Sequence, residues 1–356
     1  ALSFTFSSAE TGASFAYTVS SSGGGTINGT GTLSSVNDTV SNVDVTSLGD
    51  GTLTLSVIVT DINSNPATAV VDTVSKDALG PVVQSVTLNT GNVKAGDIIT
   101  VTVQFDDTLV LSGSNSTATL TIGGTTRTAV YTSGHNASSL VFSYTVVNGD
   151  NDSDGVTVTS AQGNSDTAKD ANGNDADFSF TAFTEASLLV DTQAPVSATP
   201  LQTSQAVNAD TLTLSQADYP EDAITVTALS DADGNGIADS NTPLTSSTSS
   251  SGSWSLSVNL SQDSDNYFIL RTSDLAGNTT DTAIGNYLED SISPDNVIIQ
   301  TPITHVYQST NAITIQGSQS ENGISVGIYE DIDNNGVADN NTATSSTTVA
   351  ANSWSI

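Results

Sequence analysis

Apolar and polar residues alternate over short runs along this chain. The pattern is plain in Ile99-Thr-Val-Thr-Val-Gln-Phe105, in Leu140-Val-Phe-Ser-Tyr-Thr-Val146 and in Trp254-Ser-Leu-Ser-Val-Asn-Leu260. Successive side chains of an extended strand point to opposite faces, so a period of two marks a strand with one dry face and one wet face. Many of the apolar positions are β-branched, which suits a pleated surface. No stretch of ten or more residues keeps the spacing of an amphipathic helix. The fold class read from this pattern is all-β and antiparallel. Between 195 and 293 it places strands near 211–216, 223–229, 254–260, 267–273 and 280–288.

A recurring connector divides the strands into groups. Asp77-Ala-Leu-Gly-Pro81, Asp191-Thr-Gln-Ala-Pro195 and Asp290-Ser-Ile-Ser-Pro294 share the form Asp-x-x-x-Pro. Proline fixes φ and biases the residue before it toward an extended backbone, so each is a short stiff link. A turn precedes each one: Asp61-Ile-Asn-Ser-Asn65, Asp170-Ala-Asn-Gly-Asn174 and Asp274-Leu-Ala-Gly-Asn278. The expected organisation is four tandem modules at 1–80, 81–194, 195–293 and a partial 294–356. Modules of this size with seven or so short strands suit an immunoglobulin-like sandwich. The last module ends at Trp354-Ser-Ile356, where its predecessor runs on from Trp254 through further strands, so the sequence reads as a piece of a longer protein. Trp254 and Trp354 hold equal repeat positions, which points to core packing.

Composition narrows the function. The 356 residues include 38 Asp plus Glu against five Lys plus Arg, a formal charge of −33. Lys76, Lys94, Arg127, Lys169 and Arg271 are scattered, so no basic patch is offered to nucleic acid or anionic lipid. Such a surplus repels itself unless cations screen it. There is no Cys, hence no disulfide framework and no thiolate site. No apolar run approaches the roughly 20 residues of a membrane-spanning helix, so direct membrane insertion is not expected. His135 and His305 have no nucleophile or acid arranged around them in sequence, and no catalytic role is read. Lys94 and Lys169 are read as solvated turn lysines rather than isopeptide donors. The Asn-x-Ser/Thr triplets, as at Asn28 and Asn278, are what so Asn- and Ser/Thr-rich a chain yields by chance.

The candidate chemistry is cation binding. Asp231-Ala-Asp-Gly-Asn-Gly-Ile-Ala-Asp239 recurs one hundred positions later as Asp331-Ile-Asp-Asn-Asn-Gly-Val-Ala-Asp339. Side-chain oxygens fall at loop positions 1, 3, 5 and 9, Gly sits at position 6, and a backbone carbonyl is available at position 7. A hard cation that takes six to eight oxygens needs this spacing, and calcium fits better than magnesium, which keeps its water. The expected ligands are Asp231, Asp233, Asn235, Ile237 and Asp239, with Asp331, Asp333, Asn335, Val337 and Asp339 in the second loop. Ile237 and Val337 would act through the backbone.

Strand order gives further candidates. In a sandwich the B–C and F–G turns share one pole, and the C–D and E–F turns share the other. Both poles of the expected modules collect acids near a linker. Asp106, Asp107 and Asp170 fall beside linker Asp77. Asp274 falls beside Asp191 with Asp218, Glu221 and Asp222. Asp263 and Asp265 fall near Asp290. The turn Asp150, Asp152 and Asp154 forms another cluster. Each has a plain reading too, because Asp, Asn and Gly form turns without any metal.

Several segments resemble a known family. Leu120-Thr-Ile-Gly-Gly-Thr-Thr-Arg-Thr-Ala-Val-Tyr131, followed by Leu140–Val146 and Gly149-Asp-Asn-Asp-Ser-Asp-Gly155, resembles a recurrent module of very large bacterial surface adhesins. Phe4-Thr-Phe6, Ala9-Glu-Thr-Gly12, Tyr17-Thr-Val19 and Leu48-Gly-Asp-Gly51 resemble another repeat of that class. Asp274-Leu-Ala-Gly-Asn278 resembles the closing motif of bacterial immunoglobulin-like repeats. The resemblance spans essentially the whole chain. It is to the tandem stalk modules of calcium-dependent adhesins of the RTX or biofilm type. The chain departs at Ser64-Asn65-Pro66, where the family usually has Gly-Asn, and at Asp106-Asp107, where it more often has Ser-Glu.

The resemblance implies an extracellular, cell-surface, calcium-stiffened spacer without enzymatic activity, whose partners are the neighbouring repeats of its own chain. The alternative is a self-assembling filament or surface-layer subunit, in which copies of the chain contact one another. A carbohydrate-directed exoprotein ranks third, since no aromatic platform or acid/base pair is visible.

Overall fold

The computed structural model describes residues 1–200, 206–301 and 313–356. His305 lies outside the described residues. The described residues contain strands and turns and no helix, an all-β architecture. They form two compact units: residues 1–195 with Ser273–Thr279, and Val196–Thr272 with Thr280–Ile356. Among the described residues, four separate clusters of buried apolar residues lie along the chain.

The first 80 residues hold strands β1 (Leu2–Thr5), β2 (Ser14–Ser21), β3 (Thr26–Thr32), β4 (Thr39–Val43), β5 (Gly51–Thr60) and β6 (Val70–Lys76). β1 pairs with β4, and a second sheet has the order β3-β2-β5-β6. The buried core is small: Val19, Leu48 and Leu53, with Leu2, Tyr17, Ile27, Val45 and Leu55 packed around them. Aromatic rings extend it. Phe4 meets Tyr17 edge-on at 5.3 Å between centroids, Phe6 meets Phe15 at 5.0 Å, and Phe15 and Tyr17 are stacked along β2. Ring pairs at such separations add stabilisation beyond the area they bury. Two glycines on the neighbouring strand make room for them. In register, Tyr17 faces Gly29 and Phe15 faces Gly31. A Cβ at Gly29 would lie 2.3 Å from the Tyr17 ring, and one at Gly31 2.5 Å from the Phe15 ring.

Residues 81–194 hold β7 (Val83–Leu88), β8 (Gly91–Val93), β9 (Ile98–Leu111), β10 (Thr117–Ile122), β11 (Thr125–Ser133), β12 (Ala137–Thr145), β13 (Val156–Gln162), β14 (Ala168–Lys169), β15 (Phe183–Glu185) and β16 (Leu188–Val190). The sequence pattern predicts about seven strands here, and the structure has ten. The excess comes from short strands at the margins and from the 14-residue β9, which serves several partners. β9 pairs with β12 along most of its length, with β7 at Val101–Phe105 and with β14 at its end. One sheet results, in the order β14-β9-β12-β11-β10-β13-β15 with β7 on β9, and β8 runs parallel to β16 as a separate pair. The alternation in Ile99–Phe105 reads directly as burial: Ile99, Val101 and Val103 are fully inaccessible and Phe105 nearly so.

Residues 195–293 hold β17 (Ala206–Val207), β18 (Thr211–Ala217), β19 (Thr225–Ser230), β20 (Thr245–Thr248), β21 (Ser253–Asn259), β22 (Asp265–Ser273) and β23 (Thr279–Glu289). The five strands placed by the sequence pattern correspond to β18, β19, β21, β22 and β23. A two-stranded sheet of β18 and β21 faces a five-stranded sheet of order β17-β23-β22-β19-β20. Leu212, Leu214, Trp254, Leu256 and Val258 from the first layer pack with Val226, Leu270 and Tyr287 from the second. The final segment holds β24 (Ile298–Thr301), β25 (Gln316–Ser318), β26 (Ser325–Ile328), β27 (Ser345–Thr348) and β28 (Ser353–Ser355). Its small core centres on Val326, Val349 and Trp354. Both tryptophans are core residues, 3% and 6% exposed.

Two outcomes for the first segment follow. Gly29→Ala and Gly31→Ala force an aromatic ring off its rotamer, so each should destabilise it by about 1–3 kcal/mol, measured as a drop in the denaturant midpoint. Ser64 occupies the left-handed region at φ 73° in the turn between β5 and β6, where the matching turns at 170–174 and 274–278 carry Gly173 and Gly277. Ser64→Gly removes backbone strain of about 1–2 kcal/mol and adds about 0.5–1 kcal/mol of unfolded-chain entropy. Its net effect in the same titration should be a rise of up to about 1.5 kcal/mol.

Candidate metal centres

The two nine-residue loops share one hydrogen-bonded skeleton. In the first, which follows β19, Asp231 accepts the amides of Asn235 and Gly236, Asp233 accepts the Asn235 amide and side chain, and Asn235 Oδ1 accepts the Ile237 amide. Asp239 accepts the Ala232 amide at 2.6 Å. In the second, which follows β26, the same bonds recur through Asp331, Asp333, Asn335 and Val337, and the Ile332 amide closes on Asp339. The backbone explains the conserved shape. Gly236 and Gly336 both have φ of 83°, which is why position 6 is Gly. Position 4 is also left-handed, at 64° for Gly234 and 57° for Asn334. Asn tolerates that region better than most side chains, so the substitution leaves the loop intact. The side chains of Ile237 and Val337 are 71% and 66% exposed, so position 7 carries no packing role.

The loops differ in how closely their acids gather. Asp331, Asp333 and Asp339 each place a carboxylate oxygen within 4.8 Å of the others. The acids of the first loop do not meet that spacing, and Asp231 there is almost fully buried while its counterpart Asp331 is exposed.

A second convergence lies within the first unit. Linker Asp77, Asp107 from β9 and Asp170 from the turn after β14 bring carboxylate oxygens within the same 4.8 Å. The turn builds this place. Asp170 accepts the amides of Asn172 and Asn174 and the Asn174 side chain, the last at 2.7 Å. Asn172 Nδ2 donates to Asp77 Oδ2 at 2.6 Å. Burial would raise the pKa of Asp170, but the Asn174 side chain and turn amides outweigh it and hold the carboxyl below its ordinary range. The same turn recurs at Asp274–Asn278, whose Asn278 Nδ2 donates to the Asp191 carbonyl, and at Asp61–Asn65. Among the described residues, neither of those two turns gathers three acids. Asp106 stands apart from the trio: its carboxylate accepts the Val82 amide and secures the start of β7. Asp191 caps the Gln193 amide.

The acids of 150–154 do something other than gather. Asp150 is buried and pairs with Arg127, Nη2 to Oδ1 at 2.6 Å, while its other oxygen accepts the Tyr144 hydroxyl and the Val147 amide. Asp152 accepts amides from Gly123, Asp154 and Gly155. The carboxylates of Asp150 and Asp152 are thus held by donors of the fold. Burial pushes Asp150 upward, but Tyr144, the Val147 amide and Arg127 prevail and its pKa is lowered. Burial and the adjoining Asp150 push Tyr144 up to about 12.

The lysines also depart from expectation. Lys169 is paired with Asp175, and Lys94, within the first unit, donates from Nζ to the Gly277 carbonyl at 2.6 Å. Neither is a free solvated lysine.

Sequence reading missed Glu289. It is fully buried at the end of β23; Oε2 accepts the Asp263 amide, while Oε1 has no hydrogen-bond partner among the described residues. Linker Asp290 follows it, exposed, with its amide on the Val207 carbonyl. A buried carboxylate oxygen without a donor is costly, and a cation beside it removes the cost. The only sequence signal is the odd placement of Glu at an inward position of an alternating strand. An orphaned carboxylate next to Asp263 fits an all-oxygen cation, as do the two acid trios.

The Asp150 contact yields a pH dependence. Its pKa is lowered by folding, so its stabilisation is complete above the ordinary carboxylate value of 3.8 and is lost as pH falls through the folded value. Asp150→Asn should cost the second segment about 2 kcal/mol near neutral pH. It should also flatten the loss of its urea midpoint between roughly pH 4 and pH 2.

No protein-family model matches this chain, and no curated protein matches it in sequence. Solved structures do match. The chain is similar to a tetra-tandem repeat in the extending region of a large adhesion protein, at 20% identity and a TM-score of 0.34, over 98% of this chain and 84% of that one. It is similar to a Ca2+-stabilized adhesin with which an Antarctic bacterium reaches out and binds ice, at 18% identity and a TM-score of 0.31, over 96% and 81%. It is also similar to the FN1–FN3 domains of chicken CNTN1, at 11% identity and a TM-score of 0.31, over 65% and 77%.

Proposed function

We propose that this chain is a spacer in the stalk of a large extracellular, cell-surface adhesin, built of tandem immunoglobulin-like modules at 1–80, 81–194, 195–293 and 294–356 and stiffened by calcium. The observation that carries the reading is the Asp77–Asp107–Asp170 trio. It joins a linker acid to two acids of the following segment. Three carboxylates so close repel one another in the absence of a cation. A calcium ion among them turns that repulsion into a clamp on the linker. Asp331, Asp333 and Asp339 offer a second such place, and Glu289 with its unpartnered Oε1 a third.

The chemistry of the whole chain agrees. At a formal charge of −33 the folded state gains from any cation it binds. All the ligands on offer are oxygens, as hard cations require, and calcium accepts more of them in less regular geometry than magnesium does. The role is mechanical: a stiff arm holds a distant binding tip away from the cell.

Calcium binding should stabilise the fold by about 2.7 kcal/mol at a hundredfold excess over Kd. Calorimetry should therefore show a calcium-dependent rise in unfolding temperature that a chelator reverses. Small-angle scattering of the full chain should show a longer maximum dimension with calcium than with chelator; an unchanged profile would overturn the spacer reading. Asp107→Asn should weaken binding at the linker about tenfold, or about 1.4 kcal/mol, in isothermal titration. Asp331→Asn should weaken the second loop to a similar degree while leaving the linker site unchanged.

A further inference from the structure

Around the Ser291 hydroxyl the protein gathers oxygens and few protons. Ser291 Oγ lies 3.1 Å from Gln262 Oε1, 3.3 Å from Asp263 Oδ1 and 3.4 Å from Glu289 Oε2. A hydroxyl carries one proton, so it can fully serve one of these three acceptors. The other two face it lone pair to lone pair. Gln262 cannot help by turning its amide around, because its Nε2 donates to Asp210 at 2.8 Å and a carboxylate only accepts. The other donors to the group are main-chain amides: Asp263 N to Glu289 Oε2 at 2.7 Å and Ser291 N to Asp263 Oδ1 at 3.1 Å. Glu289 Oε1, on a fully buried side chain, receives nothing among the described residues.

The place is held firmly. All of these residues lie in the second unit. Asp263 occupies the left-handed region at φ 52° in the turn between β21 and β22. Asn266, itself buried, accepts the Ser261 amide and donates to the carbonyls of Ser261, Ser264 and Tyr287. The Glu289 amide donates back to the Ser264 carbonyl. The turn is thus fastened to the end of β23 by bonds that use none of the clustered oxygens.

A buried carboxylate oxygen without a donor, beside acceptors that share one proton, calls for a positive charge. No side chain supplies it, since the five Lys and Arg are engaged elsewhere. We infer that Glu289, Asp263, Gln262 and Ser291 form a calcium site that fastens the linker to this turn. The inference rests on the calcium reading of the chain and adds to it a set of ligands, two of them uncharged. Two carboxylates and two neutral oxygens are brought to neutrality by one divalent ion. Their irregular arrangement suits calcium better than magnesium, which demands a regular octahedron and keeps its water. With the ion in place, Ser291 Oγ turns its proton away and offers a lone pair, and Glu289 gains the partner it lacks. Glu289 and Ser291 flank Asp290, so the ion holds the first residues of the link 290–294. Asp290, exposed between them, is not one of the four.

Amide hydrogen exchange on the full chain, titrated with calcium out of chelator, tests the site. Exchange should slow across 261–266 and 289–291 as calcium rises. Ser291→Ala, at an exposed position, should raise the calcium midpoint of that slowing at least about tenfold, the smallest loss that removing a partner of a bound metal usually brings. Glu289→Gln should abolish the slowing, and Ser291→Ala is the check if that buried variant lowers the folded fraction. Asp107→Asn should leave the midpoint at both stretches as in the parent. If calcium slows exchange around Asp77, Asp107 and Asp170 but not here, this inference fails and the calcium reading stands; if it slows neither, both fail. An unshifted midpoint in Ser291→Ala, or equal slowing by magnesium at the same concentration, would also overturn the site.

Discussion

Thirty-eight carboxylates share five cationic side chains in this protein, and the fold is arranged around that imbalance. Four of the cations each pair with one carboxylate: Lys76 with Asp50, Arg127 with Asp150, Lys169 with Asp175 and Arg271 with Asp281. The fifth, Lys94, serves a carbonyl. The remaining acids must be answered by something else, and the answer is largely the backbone. Asp38, Asp44, Asp61, Asp166, Asp170, Asp231 and Asp331 all accept main-chain amides of their own or neighbouring turns. Hydrogen bonds from amides to a charged acceptor are stronger than those between neutral groups. The turns are thereby stiffened by the same groups that burden the chain with charge.

This arrangement separates two kinds of acid. Those capped by turn amides alone, such as Asp61, define loop shape. Those that also face other acids, such as Asp77, Asp107 and Asp170, leave a residual repulsion that the polypeptide does not cancel. Asp150 shows a third outcome, in which one of the few arginines is committed to a buried carboxylate. Glu289 is the extreme case, with one oxygen held by an amide and the other by nothing among the described residues.

Local pattern carried the reading of the fold as far as local forces decide it. The alternation in Ile99–Phe105 and Trp254–Leu260 located strands and their buried faces, because a half-buried sheet imposes a period of two. The equivalence of Trp254 and Trp354 likewise survived, since repeat position and core position coincide. Partner choice was less legible. Nothing within Ile98–Leu111 says that it will pair with three other strands, because those contacts are set by residues as distant as Lys169, which pairs with Val110. The same limit applies to Arg127, 23 residues from Asp150. Spacing flagged the acids of 150–154 as a cluster but did not reveal the guanidinium and hydroxyl that occupy Asp150. Lys94 was misread for the same reason. The nine-residue loops were legible because most of the bonds to their acids come from within the nine residues.

The paired loops have one more property, which concerns selectivity. Their amides already draw the carboxylates inward, and Gly236 and Gly336 fix the sharpest bend. Little conformational freedom is left to lose when an ion enters, so entry is not opposed by the cost of ordering a floppy segment. A frame held in this way also has a preferred width. On the proposed calcium reading it would admit ions that match that width and discriminate against smaller ones that would have to pull it further shut. Asn334 in place of Gly234 keeps the bend with a different residue, so the turn tolerates sequence drift between repeats.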